Sequence, residues 1–96
     1  MKKFFVIGNN TSNSLSPIIF NYWFKKYNIK AKYTFVETNK NNFNEKIKEK
    51  INDFRTSGFN ITIPFKKNII KHLDKQSPHS RKIGAVNFVT IKKKIK

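Results

Sequence analysis

The chain has 96 residues, which is room for one small domain with one core. Hydrophobic residues make up 38% of it, including ten Phe, so a packed interior is available, and the absence of cysteine excludes a disulfide framework and a thiolate metal site. The formal charge of +16 comes from 19 Lys and two Arg scattered over every segment without interleaved aromatics, so it speaks to solubility and non-specific attraction for anions rather than to a nucleic-acid stacking platform.

Lys, Asn, Ile and Phe supply more than half of the residues, and all four have A/T-rich codons, so coding bias is a sufficient source for much of the charge. The opening "MKKFFVIGNN" begins basic, but its apolar run, Phe4 to Ile7, is too short for a signal peptide or a membrane span. A soluble, cytoplasmic protein is expected.

In chain order, residues 3 to 7, "KFFVI", predict a strand buried on both faces and ending at Gly8. A polar loop, "GNNTSNSL", follows. Ser16 and Pro17 read as the N-cap and N1 residues of a helix that runs to Asn28, with Ile19, Phe20, Trp23, Phe24 and Tyr27 as a core-facing stripe. Residues 32 to 37, "KYTFVE", predict a second strand that alternates Tyr33 and Phe35 against Thr34 and Val36. Phe43, Ile47, Ile51 and Phe54 then mark a second helix, with Asn42 and Glu45 as a capping box and Gly58 as terminator.

The stretch "GFNITIPFKK", residues 58 to 67, predicts a third strand in which Phe59, Ile61 and Ile63 alternate with Asn60 and Thr62. Pro64 stops it and Lys66 follows at once. Lys67 to Leu73 reads as a short helix with Ile69, Ile70 and Leu73 inward. Ser77 and Pro78 begin another that ends at Ile83 before Gly84, and "AVNFVTIK" is the last strand.

This alternation predicts an α/β three-layer sandwich: a mainly parallel sheet of about four or more strands, right-handed crossovers, and helices on both faces. The final strand runs into "KKKIK" with nothing to cover it, so residues 1 to 96 read as a single domain cut from a longer chain.

Open α/β sheets bind ligands outside the carboxyl ends of their strands. Three polar clusters fall there: Ser14 and Ser16 after strand one, Asn60 and Thr62 with Lys66 at strand three, and Asn87 at the last strand. Hydroxyls, carboxamides and one ammonium suit a small hydroxylated ligand that bears a carboxylate or carbonyl. No metal pattern competes, because His72 and His79 stand seven apart and the five acidic residues are dispersed. Each residue also has a plainer reading: the serines as turn and cap, Lys66 as a solvated charge, Asn60 and Thr62 as the wet side of an edge strand, and Asn87 as a backbone partner at a strand start.

The segments "SNSLSP" at 12 to 17, "NITIPFK" at 60 to 66 and "IGAVN" at 83 to 87 resemble, in order and spacing, three motifs of the substrate-binding domain of shikimate dehydrogenases. The resemblance covers nearly the whole chain. It implies that Ser14 and Ser16 hold the substrate carboxylate, that Asn60, Thr62 and Asn87 contact ring hydroxyls, and that Lys66 is the catalytic acid/base. The implied substrate is shikimate or 3-dehydroshikimate, and the complete enzyme would be an NADP-dependent oxidoreductase of aromatic amino acid biosynthesis. Such chemistry needs a group that moves a proton on the reacting oxygen, and a lysine ammonium also stabilises a developing alkoxide.

The sequence departs from the family pattern in three ways. Asn13 stands where the family often has a basic residue, and the family's Asn-Thr-Asp-Gly stretch is absent. There is also no Gly-x-Gly-x-x-Gly, and the chain has only three glycines. These 96 residues alone are therefore expected to bind no cofactor and to be inactive. Two other readings stand beside this one: a non-catalytic basic module for nucleic acid or an acidic partner, and a quinate/shikimate dehydrogenase. No membrane and no specific nucleic acid are expected as partners, and a homo-oligomer is compatible with the sequence.

Overall fold

The computed structural model describes residues 1 to 91, so Lys92 of the predicted last strand lies outside the described residues. The order of elements is β1 (Lys2–Gly8), a 3-10 turn (Thr11–Asn13), α1 (Ser16–Lys26), β2 (Ala31–Glu37), α2 (Phe43–Asn52), β3 (Thr56–Ile61), a second 3-10 turn (Asn68–His72), α3 (Pro78–Ile83) and β4 (Phe88–Thr90). The four strands form one sheet in the order β2-β1-β3-β4. β1 is parallel to both of its neighbours, while β4 runs antiparallel to β3, with Phe88 opposite Asn60. The second 3-10 turn and α3 return the chain to the carboxyl end of β3, where Ile61 N donates to Asn87 O at 2.9 Å. β4 therefore starts where β3 stops and runs back along it, which makes an antiparallel edge on an otherwise parallel sheet.

Alternation along β1 sends Phe5 and Ile7 to one face and Phe4 and Val6 to the other. On the first face they join Val36, Phe59 and Ile61 with Phe43 and Ile47 of α2 and the later Phe65 and Ile69 in the main buried cluster. Phe5 stacks on Phe59 at 4.7 Å between ring centroids, and Phe43 on Phe65 at 4.4 Å. On the second face α1 lays Phe20 on Tyr33 at 4.8 Å and Phe24 against Phe4 at 5.9 Å. Helices thus cover both faces.

Several local expectations are corrected. No residue of α1 is fully buried, and Trp23 and Tyr27 of the expected core stripe are 48% and 65% exposed. α1 packs chiefly over β2 at the sheet edge, so of its expected apolar stripe only Phe20 and Phe24 reach the strands, and the Ile19 and Trp23 row faces out. Ser16 is the first helical residue rather than the cap. Ser14, whose backbone is extended, lends its Oγ to Ser16 N at 3.2 Å. The capping box at Asn42 does not form, since Asn42 already has helical backbone angles and Asn39 Oδ1 accepts from its N–H instead.

α2 ends at Asn52, and a turn in which Asp53 accepts from Arg55 N carries the chain into β3 at Thr56. Gly58 is therefore a strand residue, Phe54 lies outside the helix and is exposed, and Ile63, beyond the end of β3, is exposed as well. The segment after Lys67 winds as a 3-10 turn with Ile69 buried. At α3 the reading agrees with the structure: Ser77 Oγ accepts from Ser80 N and Gly84 closes the helix with φ 77°.

The backbone of Tyr33 faces the open side of β2 and is paired there by a side chain. Asn21 Nδ2 donates to Tyr33 O at 2.7 Å, and Tyr33 N donates to Asn21 Oδ1 at 2.8 Å. The carboxamide satisfies both backbone groups and blunts the sheet edge.

Candidate functional site

The carboxyl ends of β1 and β3 are laced together. Thr62 N donates to Ile7 O at 2.9 Å and Asn9 N donates to Ile63 O at 3.3 Å. A Cβ on Gly8 would collide with Thr62 Cγ2, so the absent side chain is what lets Thr62 sit beside the end of β1. The loop after β1 is held from the other side by Glu37 at the end of β2, whose Oε1 accepts from Ser12 N at 3.1 Å. Hydrogen bonds from Ser12 and from Thr11 N hold the Glu37 carboxyl below its ordinary pKa.

Between these segments opens a cleft of about 440 Å³. Ser14, Ser16, Asn60, Thr62, Lys66 and Asn87 all line it, so the six residues singled out in the sequence are brought together. Phe65, fully buried and stacked on Phe43, anchors the chain beside Lys66, and Val86 N donates to Lys66 O at 2.9 Å. The Asn87 carbonyl is engaged by Ile61 N, which fixes this residue at the cleft that it lines. Asn60 is not on an edge strand, because β4 covers the outer side of β3. Among the described residues the lining has one ammonium and no carboxylate, a setting suited to an anionic ligand.

Four contributors went unnoticed in the sequence. Asn10 and Thr11 also line the cleft, and Thr11 Oγ1 is buried without a hydrogen-bond partner among the described residues. Glu37 acts through the loop. Tyr33, 2% exposed, donates its hydroxyl to Asn60 Oδ1 at 2.6 Å across the intervening β1. Burial pushes the Tyr33 hydroxyl up to about 12, with the neighbouring Ser16 hydroxyl opposing the rise, so the phenol stays neutral and remains a donor. Nothing in strand alternation distinguishes such a tyrosine from an ordinary core aromatic.

Among the described residues no group of three His, Cys, Asp or Glu side chains comes together to hold a metal, and no helix is long and apolar enough to cross a membrane. His72 serves packing: its Nε2 pairs with Asn44 Oδ1 at 3.0 Å and its ring meets Phe43 edge-on.

The family model for the shikimate dehydrogenase substrate binding domain matches residues 6–89. The chain is 40% identical over 90 residues to a shikimate dehydrogenase (NADP(+)) of Staphylococcus epidermidis, which covers 94% of this chain and 33% of that protein. It is 41% identical over 87 residues to the protein of the same name from Pyrococcus furiosus, with 88% and 30% covered. Among solved structures, shikimate dehydrogenase 1 of Peptoclostridium difficile superposes with a TM-score of 0.86 at 35% identity, covering 96% of this chain and 35% of that one. Shikimate 5-dehydrogenase of Thermus thermophilus in complex with shikimate superposes at 0.85 with 33% identity, covering 94% and 34%. The chain spans about a third of the length of the curated relatives it matches.

Proposed function

Because the chain belongs to the shikimate dehydrogenase substrate binding domain family, we propose that its cleft binds shikimate or 3-dehydroshikimate, as the substrate-binding domain of an NADP-dependent shikimate dehydrogenase. The observation that carries this reading is that Ser14, Ser16, Asn60, Thr62, Lys66 and Asn87, drawn from three separate stretches of chain, line one cleft at the carboxyl ends of the strands.

In this reading the Ser14 and Ser16 hydroxyls hold the ligand carboxylate, and Asn60, Thr62 and Asn87 hydrogen-bond the ring oxygens. Lys66 faces the oxygen that changes between hydroxyl and ketone. Its ammonium donates to that oxygen as negative charge builds on it, and the neutral amine takes the proton back in the opposite direction. The relatives' names carry NADP(+), and a dinucleotide is normally cradled by a glycine-rich turn between a strand and a helix. Here β1 is followed by Asn9 and Asn10, and no Gly-x-Gly-x-x-Gly occurs in the sequence, so the residues of this chain do not fit a dinucleotide. Among the residues that line this cleft, Lys66 is the one suited to carry the proton.

The test is a shikimate titration followed by thermal unfolding and by NMR. At ten times its dissociation constant a ligand stabilises the folded state by about 1.4 kcal/mol. In a domain of this size that raises the melting temperature by roughly 6 to 11 °C. No rise with millimolar shikimate, together with unmoved Thr62 and Lys66 signals, overturns the proposal.

A further inference from the structure

Tyr33 does not line the cleft, yet its position is fixed from every side. Asn21 clamps its backbone N–H and C=O, Phe20 stacks on its ring with the planes 10° apart, and its hydroxyl meets Asn60 Oδ1 at 2.6 Å. A carboxamide has one oxygen that accepts and one nitrogen that donates twice. With one lone pair of Oδ1 engaged by the phenol, the carboxamide is held in one orientation, and its nitrogen is the donor that Asn60 has to offer the cleft.

We infer that Tyr33 is a positioning residue of this site: by holding Asn60 Oδ1 it turns Asn60 into a donor toward the ligand, and so selects a ligand oxygen that accepts a hydrogen bond at that place. This rests on the cleft being the ligand site and adds to it the sense of one hydrogen bond and the residue that sets it. A hydroxyl and a ketone both satisfy the requirement, so the same Asn60 geometry serves both oxidation states of a ring oxygen. A donor-only group there, such as an ammonium, meets the nitrogen donor with only the second lone pair of Oδ1 to turn to, and is disfavoured. Without the phenol the carboxamide is free to turn over, and its two orientations then compete.

Tyr33→Phe in the whole 96-residue chain tests this, because it keeps the ring on Phe20 and removes only the hydroxyl. The readouts are the shikimate dissociation constant and the side-chain ¹⁵N–¹H₂ signals of Asn60, which a purely packing role for the phenol would leave in place. Expected are roughly five- to tenfold weaker binding, the loss of one ordinary hydrogen bond, and displaced Asn60 amide signals in the ligand-free protein. Asn60→Asp gives a second arm: it preserves an acceptor for Tyr33 but offers no donor, and is expected to lose at least about tenfold in shikimate affinity while still folding. A folded Tyr33→Phe chain that matches a binding wild type in affinity or in Asn60 signals overturns the inference alone, as does an Asn60→Asp chain that binds as wild type does. A wild-type chain that ignores shikimate overturns the functional reading and this inference with it.

Discussion

Glu37 Oε1 accepts a hydrogen bond from Ser12 N at 3.1 Å although 25 positions separate the two residues, so the end of β2 holds the loop that carries Ser14. The carboxyl is kept below its ordinary value of 4.5 by the Ser12 and Thr11 donors. A lowered folded-state value means that the anchor is complete above the ordinary value and is lost as pH falls through the folded one. The Ser12 amide signal is expected to titrate with a midpoint below 4.5, and in Glu37→Gln that titration should vanish. A midpoint above 4.5 would show that the carboxylate is not gripped by this loop.

Gly8→Ala is expected to damage the cleft and the fold together. The new Cβ would meet Thr62 Cγ2 and lie 3.1 Å from Ile63 O, so Thr62 must leave its place. Overpacking of this kind costs about 1 to 3 kcal/mol, to be read from a denaturant midpoint alongside a weakened shikimate titration. Gly84→Ala is the control, since a Cβ there meets nothing and only the backbone, at φ +77°, is strained. It should cost about 1 to 2 kcal/mol and leave binding alone. Equal effects of the two variants on binding would remove Gly8 from the account of the site.

Asn21→Ala removes the side chain that pairs both backbone groups of Tyr33 at the sheet edge. Water can reach this partly buried site, so the expected loss is about 1 to 2 kcal/mol rather than the cost of two orphaned groups in a dry core. Amide exchange localises the effect: Tyr33 N–H should exchange faster, with little change in β3. Unchanged exchange at Tyr33 would mean that the edge is protected by something other than Asn21.

What was legible in the sequence follows from how local its cause is. Phe59 and Ile61 alternating with Asn60, Ser77 before Pro78, and the polar residues just past the strand ends all reflect chemistry within a few positions, and the structure has them as read. The Tyr33 bond to Asn60 depends on β1 lying between β2 and β3, an order that chain succession does not contain. The outward turn of Trp23 likewise depends on where α1 sits along the sheet, and the direction of β4 depends on where α3 returns the chain. Ser16 is not the cap because the chain already turns helical at Leu15, and it is Ser14, with extended backbone, whose Oγ accepts from Ser16 N.

Lys66→Met separates a site from a general basic surface. Lys66 is half-buried on the cleft, whereas its neighbour Lys67 is exposed and does not line it. A charged hydrogen bond to a ligand contributes about 1.5 to 3 kcal/mol, so Lys66→Met should weaken shikimate binding by roughly ten- to a hundredfold at an unchanged melting temperature. Lys67→Met removes the same charge from the same stretch and should change affinity less than about twofold, because an exposed charge acts on a ligand at a distance only through screened, high-dielectric solvent. If scattered lysines held the ligand collectively, the two variants would weaken binding alike and both effects would fade with added salt. That result would argue against a defined role for Lys66 in the cleft.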